Sequence, residues 1–85
     1  MTSVSNEDLS AWITNYVAKM VNLDPANVDV DKSFQLYGLD SAAAVELTCE
    51  MSDFLGTNIE PTVIFEHRTI RKLTDYVAST TETVH

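Results

Sequence analysis

The chain has 85 residues, 45% of them hydrophobic, with two glycines and a formal net charge of −8. This makes it one small domain spanning residues 1–85, apolar enough to form a core and unlike a disordered tail. The single cysteine, Cys49, excludes an internal disulfide and is too few for a thiolate zinc site.

Residues 1–5 read as frayed, and the ordered core is expected over about 6–79. Ser5-Asn6-Glu7-Asp8 has the polar cap and acidic first turn of a helix start. Leu9, Trp12, Ile13, Tyr16, Val17 and Met20 follow at three- and four-residue spacing, which predicts one face of an amphipathic helix running to about Val21. Trp12 and Tyr16 read as core packing rather than a stacking platform, because Lys19 is their one basic neighbour.

Asn22 to Asp40 is a long connection, unusual in a small domain unless it packs or has a role. Pro25 marks a turn, and a short helical turn is expected near Ser33 to Leu36. Leu23, Val28, Phe34 and Leu36 are the apolar residues available to pin this segment to the bundle. Asp29, Asp31, Ser33 and Asp40 match positions 1, 3, 5 and 12 of a calcium loop, but Phe34 stands where the sharp turn requires glycine. Calcium binding is not expected.

A second helix is predicted from about Ser41 to Leu55, closed by Gly56. Ala44, Leu47, Thr48, Met51, Phe54 and Leu55 form its buried stripe. Ala42, Val45, Glu46, Cys49 and Asp53 share a more exposed side whose mix of small apolar residues and acids suits contact with another protein. Val45 reads equally well as the edge of the core. Ser41 itself stands where unpaired N–H groups and the helix dipole favour negative charge, so a phosphate ester-linked to its hydroxyl would be well placed.

After a loop over 57–60, Pro61 suits a first helical position, and Thr62-Val63-Ile64-Phe65 reads as a short apolar helix. Its propensity also suits a strand, but no partner strand exists in the sequence. His67 and Arg68 close it. Thr69 caps a last helix with Ile70, Leu73, Tyr76 and Val77 inward and Arg71, Lys72 and Asp75 outward; fraying is expected from Ser79. The fold class is therefore all-α: a small antiparallel bundle of three main helices plus one short helix, with a long loop between the first and second helices.

Nine acids lie between Asp24 and Glu66 against one base, Lys32, so this segment holds the entire net charge. Nucleic acid is not expected as a partner, given the shortage of Lys and Arg, whereas basic protein surfaces would be attracted. No run is apolar enough for a signal peptide or a membrane span, and a cytoplasmic monomer without membrane contact is expected.

Catalysis finds little support. Ser41, His67 and Asp40 have an order possible for a hydrolase triad, but there is no G-x-S-x-G elbow and no strand to carry one. Two histidines, His67 and His85, are too few for a metal site, and no glycine-rich phosphate loop occurs. The chain reads as a non-enzyme without a metal.

Gly38-Leu39-Asp40-Ser41 followed by Ala44-Val45-Glu46-Leu47 resembles the signature of acyl carrier proteins, and the likeness extends over about residues 7–79. The resemblance implies that Ser41, preceded by Asp40, receives a 4′-phosphopantetheine arm from coenzyme A. A separate phosphopantetheinyl transferase would attach it, using Mg²⁺ in its own site, and the arm would hold acyl groups as thioesters. Val45 and Glu46 match positions that the family uses in partner recognition. The implied partners are an acyl-loading enzyme (an acyl-AMP ligase or acyltransferase), a ketosynthase and other synthase enzymes.

Asp40, in place of the histidine common in peptidyl carriers, favours an acyl over an aminoacyl or peptidyl role. Ala42 departs from the leucine frequent after the serine, which shortens the apolar contact beside the arm. Leu39 to Val45, with Pro61-Thr62 and Thr69-Ile70, looks closest to polyketide-type carriers, including those loaded by fatty acyl-adenylate ligases. An acyl chain is expected to thread between the second and third helices near Leu47, Met51, Ile64 and Phe65. The alternative to a carrier is an unmodified adaptor bundle in which Ser41 is an ordinary helix cap.

Overall fold

The computed structural model describes residues 6–82, with side chains described through residue 79. The expected fraying of residues 1–5, the capping role of Ser5 and the last tail residues lie outside the described residues. Four α-helices form: α1 (Asn6–Val21), α2 (Ser41–Leu55), α3 (Thr62–Glu66) and α4 (Ile70–Glu82). Two 3₁₀ turns, Pro25–Asn27 and Phe34–Tyr37, interrupt the crossover from α1 to α2. No strand occurs among the described residues beyond one isolated antiparallel bridge, Ser33 with Thr69.

α1 buries Leu9, Ile13, Val17 and Ala18 and packs along α4 and against α2. It ends where Asn22 enters the left-handed region at φ 61°, a conformation asparagine tolerates, and Leu23 donates its N–H to the Ala18 carbonyl at 2.9 Å. α2 buries Ala44, Leu47, Thr48 and Met51 as its periodicity predicts, and Gly56 closes it at φ 69°. The Thr48 hydroxyl satisfies itself on the Ala44 and Val45 carbonyls, both at 3.0 Å. Thr62–Glu66 is helical, preceded rather than opened by Pro61. Thr69 caps α4 by accepting the Lys72 N–H at 3.1 Å.

Two aromatic residues expected inside are not. Phe54 keeps 41% of its surface exposed, because it lies over Trp12 with ring centres 4.9 Å apart rather than pointing into the core. Tyr76 is 39% exposed and stacks on His67 at 4.3 Å; the buried stripe of α4 runs instead over Ile70, Leu73, Thr74, Val77 and Ala78. α4 also continues past Ser79 to Glu82, with Val77 and Ala78 still in the core.

The crossover is anchored selectively. Phe34 is 3% exposed and Val28 half-buried, but Leu36 is 71% and Leu23 42% exposed, contrary to expectation. The second 3₁₀ turn has three residues per turn, so Phe34 and Tyr37 share its inner side and Leu36 faces out. Leu23 follows the left-handed Asn22 and is carried off the α1 stripe. The backbone then ties the crossover to the α3–α4 junction: Phe34 N–H donates to the Arg68 carbonyl at 2.8 Å, and Arg71 N–H to the Val30 carbonyl at 3.0 Å.

The Tyr37 hydroxyl adds a second tie within the loop, accepting from the Asp29 N–H at 2.6 Å. The aspartates of the calcium-like stretch are engaged too. Asp29 accepts the Asp31 N–H at 2.9 Å, and Asp31 meets the Arg71 fork at 2.6 and 3.2 Å.

Phe34→Ala is expected to cost about 3–5 kcal/mol in urea unfolding, whereas Leu36→Ala stays within about 0.5 kcal/mol. The hydrogen bond and charge of Arg71 hold the Asp31 carboxyl below its ordinary 3.8. The contribution of this pair is therefore complete above that pH and is lost as the pH falls through the lowered value. Asp31→Asn should destabilise measurably at neutral pH in low salt, with the difference from wild type vanishing in acid; a difference independent of pH would contradict this.

Candidate functional site

The site is assembled from the crossover inward. Buried Phe34 fixes the second 3₁₀ turn, and Gly38 ends it in the left-handed region at φ 83°. A side chain at Gly38 would meet no neighbouring atom, so the backbone angle is what requires glycine there. Gly38 N–H donates to the Gln35 carbonyl at 3.0 Å and Leu39 N–H to the Phe34 carbonyl at 3.1 Å. Leu39 packs half-buried against the core, which delivers Asp40 to the head of α2.

Asp40, not Ser41, is the cap. Its backbone is extended, its carboxylate accepts the Ala43 N–H at 2.9 Å, and its carbonyl accepts the Ala44 N–H at 2.9 Å. Ser41 is the first residue of α2 and exposed, and its hydroxyl makes no side-chain hydrogen bond among the described residues. The expectation that Ser41 caps the helix in the adaptor reading is thereby corrected. With Asp40 satisfying the third N–H of the helix, the serine hydroxyl has no structural duty.

Ser41 sits at the positive end of a 15-residue helix, a favourable position for an anionic ester. No hydrogen-bonded triad links Ser41, Asp40 and His67: the aspartate is engaged at Ala43 and the histidine ring stacks on Tyr76.

Ala42, Val45, Glu46, Cys49 and Asp53 are all exposed, so the side of α2 singled out by its spacing is a surface. Val45, readable as core edge, is 48% exposed. Exposed Phe65, at 51%, and Leu36 add apolar area that the α2 pattern alone did not reveal.

Of the four residues expected beside an acyl chain, two line a pocket in the structure. A pocket of about 200 Å³ is lined by Phe34, Gln35, Leu39, Ala44, Ile64, Phe65 and Arg68. Ile64 and Phe65 belong to it. Leu47 and Met51 do not, since both are fully buried in the core facing the other helices. The small Ala44 leaves the gap, and the crossover supplies the opposing wall. Arg68 stands at this pocket with its Nε donating to the Phe65 carbonyl at 3.2 Å.

These features define the class: a four-helix bundle that presents one unengaged serine at a helix start beside an acidic helix face. A family model described as "Phosphopantetheine attachment site" matches residues 11–77, and the chain belongs to that family. Its members carry 4′-phosphopantetheine covalently on a serine.

The chain is 29% identical over 77 residues to the acyl carrier protein TtuC of Teredinibacter turnerae, covering 91% of this chain and 88% of that one. It is 37% identical over 78 residues to a phenolphthiocerol/phthiocerol polyketide synthase polypeptide of Mycobacterium tuberculosis, covering 91% of this chain but only 4% of that protein. Among solved structures it superposes with TM-score 0.85 and 32% identity on a free-standing peptidyl carrier protein of Acinetobacter baumannii, covering 91% and 96% of the two chains. The Teredinibacter and Acinetobacter proteins are named as carriers, and carrier domains are a non-catalytic kind. No helix among the described residues is long and apolar enough to cross a membrane.

Asp40→Ala should cost about 0.5–2 kcal/mol in chemical denaturation, the ordinary loss of an N-cap. Ser41→Ala should change stability by less than about 0.5 kcal/mol. The reverse order would return the capping role to the serine.

Proposed function

We propose that Ser41 is the attachment serine of an acyl carrier protein that holds acyl or polyketide intermediates and delivers them to biosynthetic enzymes. The observation that carries this reading is the Ser41 hydroxyl: exposed, unbonded, and first in a helix whose capping is done by its neighbour. When attached, the arm supplies a terminal thiol that holds cargo as a thioester. The chain's own residues do the rest. Asp40 fixes the head of α2, the α2 N-terminal amides favour the negative phosphodiester, and Gly38 and Leu39 set the direction in which the serine faces.

The acidic face of α2 supports docking of basic enzyme surfaces through fast, salt-sensitive encounters. Ala42, Val45, Glu46, Cys49 and Asp53 form that surface, and the partners are a phosphopantetheinyl transferase, an acyl-loading ligase or acyltransferase, and a ketosynthase. Cargo lies in the pocket walled by Phe34, Leu39, Ala44, Ile64 and Phe65. The setting is cytoplasmic and the chain works as a monomer. A second reading, aminoacyl or peptidyl cargo, draws on the likeness to the Acinetobacter peptidyl carrier; Asp40 before the serine weighs against it.

Incubation with coenzyme A and a promiscuous phosphopantetheinyl transferase should add the mass of one phosphopantetheine to the intact protein, and Ser41→Ala should abolish the gain. A gain that persists in Ser41→Ala moves the attachment elsewhere. Loading by fatty acid-adenylating but not amino acid-adenylating enzymes should then separate acyl from aminoacyl cargo.

A further inference from the structure

Tyr16, Trp12 and Phe54 form one stack of three rings. Trp12 lies 5.4 Å from Tyr16 with 22° between planes, and 4.9 Å from Phe54 with 13° between planes. The stack reaches the surface: Trp12 and Tyr16 are half-buried and Phe54 is exposed. It joins α1 to the last turns of α2. At 3.6 residues per turn, Phe54 stands about 140° around α2 from Ser41 and roughly opposite Val45. The rings therefore lie on a different flank of α2 from the attachment serine.

α2 brings charge of one sign to the rings, and Lys19 on α1 is the one base near them. α2 carries Glu46, Glu50 and Asp53 and no lysine or arginine. None of these three forms an ion pair or side-chain hydrogen bond among the described residues. Glu46 and Glu50 stand close enough to Tyr16 to add to the burial that raises its phenol above 10.0. Lys19, three residues after Tyr16, pairs with none of them. Ring faces are themselves negative, and carboxylates at their rim add full charge. A group that satisfies both must be cationic and flat enough to stack. Guanidinium meets that description, whereas ammonium is compact and strongly hydrated.

We infer that the Tyr16–Trp12–Phe54 ledge, rimmed by Glu50 one turn before Phe54, is a second docking surface that receives an arginine side chain presented by a partner protein. Aromatic residues and arginine are the residues that concentrate binding energy at protein interfaces. A partner held here grips the α1–α2 edge and leaves Ser41 accessible to another enzyme. The inference does not rest on modification of Ser41, and its test uses the full chain without cofactor.

The ¹⁵N-labelled chain is titrated with tetra-arginine amide and, separately, with tetra-lysine amide, following amide shifts and the fluorescence of Trp12, the only tryptophan. Tetra-arginine is expected to shift the amides of Trp12, Tyr16, Glu50 and Phe54, to quench Trp12, and to bind about threefold more tightly than tetra-lysine. Phe54→Leu keeps apolar bulk and removes the ring, so it should erase the arginine advantage and leave tetra-lysine binding unchanged, with helicity checked by circular dichroism. Glu50→Gln, an exposed change that leaves the rings in place, should weaken both peptides about twofold. Equal affinity for the two peptides, an arginine advantage that survives Phe54→Leu, shifts confined to residues 41–45, or no binding of either peptide overturns the proposal.

Discussion

The Phe34 amide donates to the Arg68 carbonyl across 2.8 Å while the Phe34 ring is buried in the core, and the Val30 carbonyl accepts the Arg71 N–H at 3.0 Å. These bonds fasten a long crossover to the turn between α3 and α4. Fixing each backbone residue costs on the order of 1–2 kcal/mol in entropy, so a crossover without such anchors would not hold one conformation. Gly38, Leu39 and Asp40 follow within six residues of Phe34. The direction of the α2 head, and hence of the Ser41 hydroxyl, is set by where Phe34 is held. The exposed Asp31–Arg71 fork works on the same fastening from outside and adds a small, salt-sensitive increment of stability.

The parts of this fold that follow one helix were legible in the sequence. Leu9, Ile13 and Val17 on α1, and Ala44, Leu47, Thr48 and Met51 on α2, recur at helical spacing, and Gly56 and Thr69 mark ends by chemistry that acts locally. The acidic side of α2 followed from the same periodicity. Where two elements decide an outcome together, one stretch of sequence was not enough. Leu36 and Phe34 look alike as loop anchors until the three-residue turn sorts them. Phe54 fits the α2 stripe by spacing, yet Trp12 from α1 draws its ring outward. The pocket needed a wall from the crossover, which no reading of α2 and α3 supplies.

Capping shows the same division at the scale of two residues. Asp and Ser are both strong N-cap residues, and adjacent they compete for one position. The extended backbone of Asp40, set by the Gly38 turn and the packed Leu39, gives the cap to the aspartate. Ser41 then begins the helix proper, relieved of any hydrogen-bonding duty. The proposed attachment of an arm at Ser41 needs a side chain that holds nothing together, and a neighbour that takes over the cap achieves this without weakening the helix.

The alanine run after the serine carries this separation further. Ala44 is buried and small, so it leaves open the space bounded by Phe34, Leu39, Ile64 and Phe65; a leucine there would fill the gap with its own side chain. Ala42 is exposed and offers little apolar contact beside Ser41. Surface affinity beyond charge must then come from exposed apolar residues such as Val45 and Phe65. Interactions of that kind raise association rates more than they lengthen residence. For a carrier of the kind proposed, which would pass between several enzymes, a weak grip around the serine is compatible with turnover. Any stronger hold is better placed on another flank of α2, where it does not obstruct the hydroxyl.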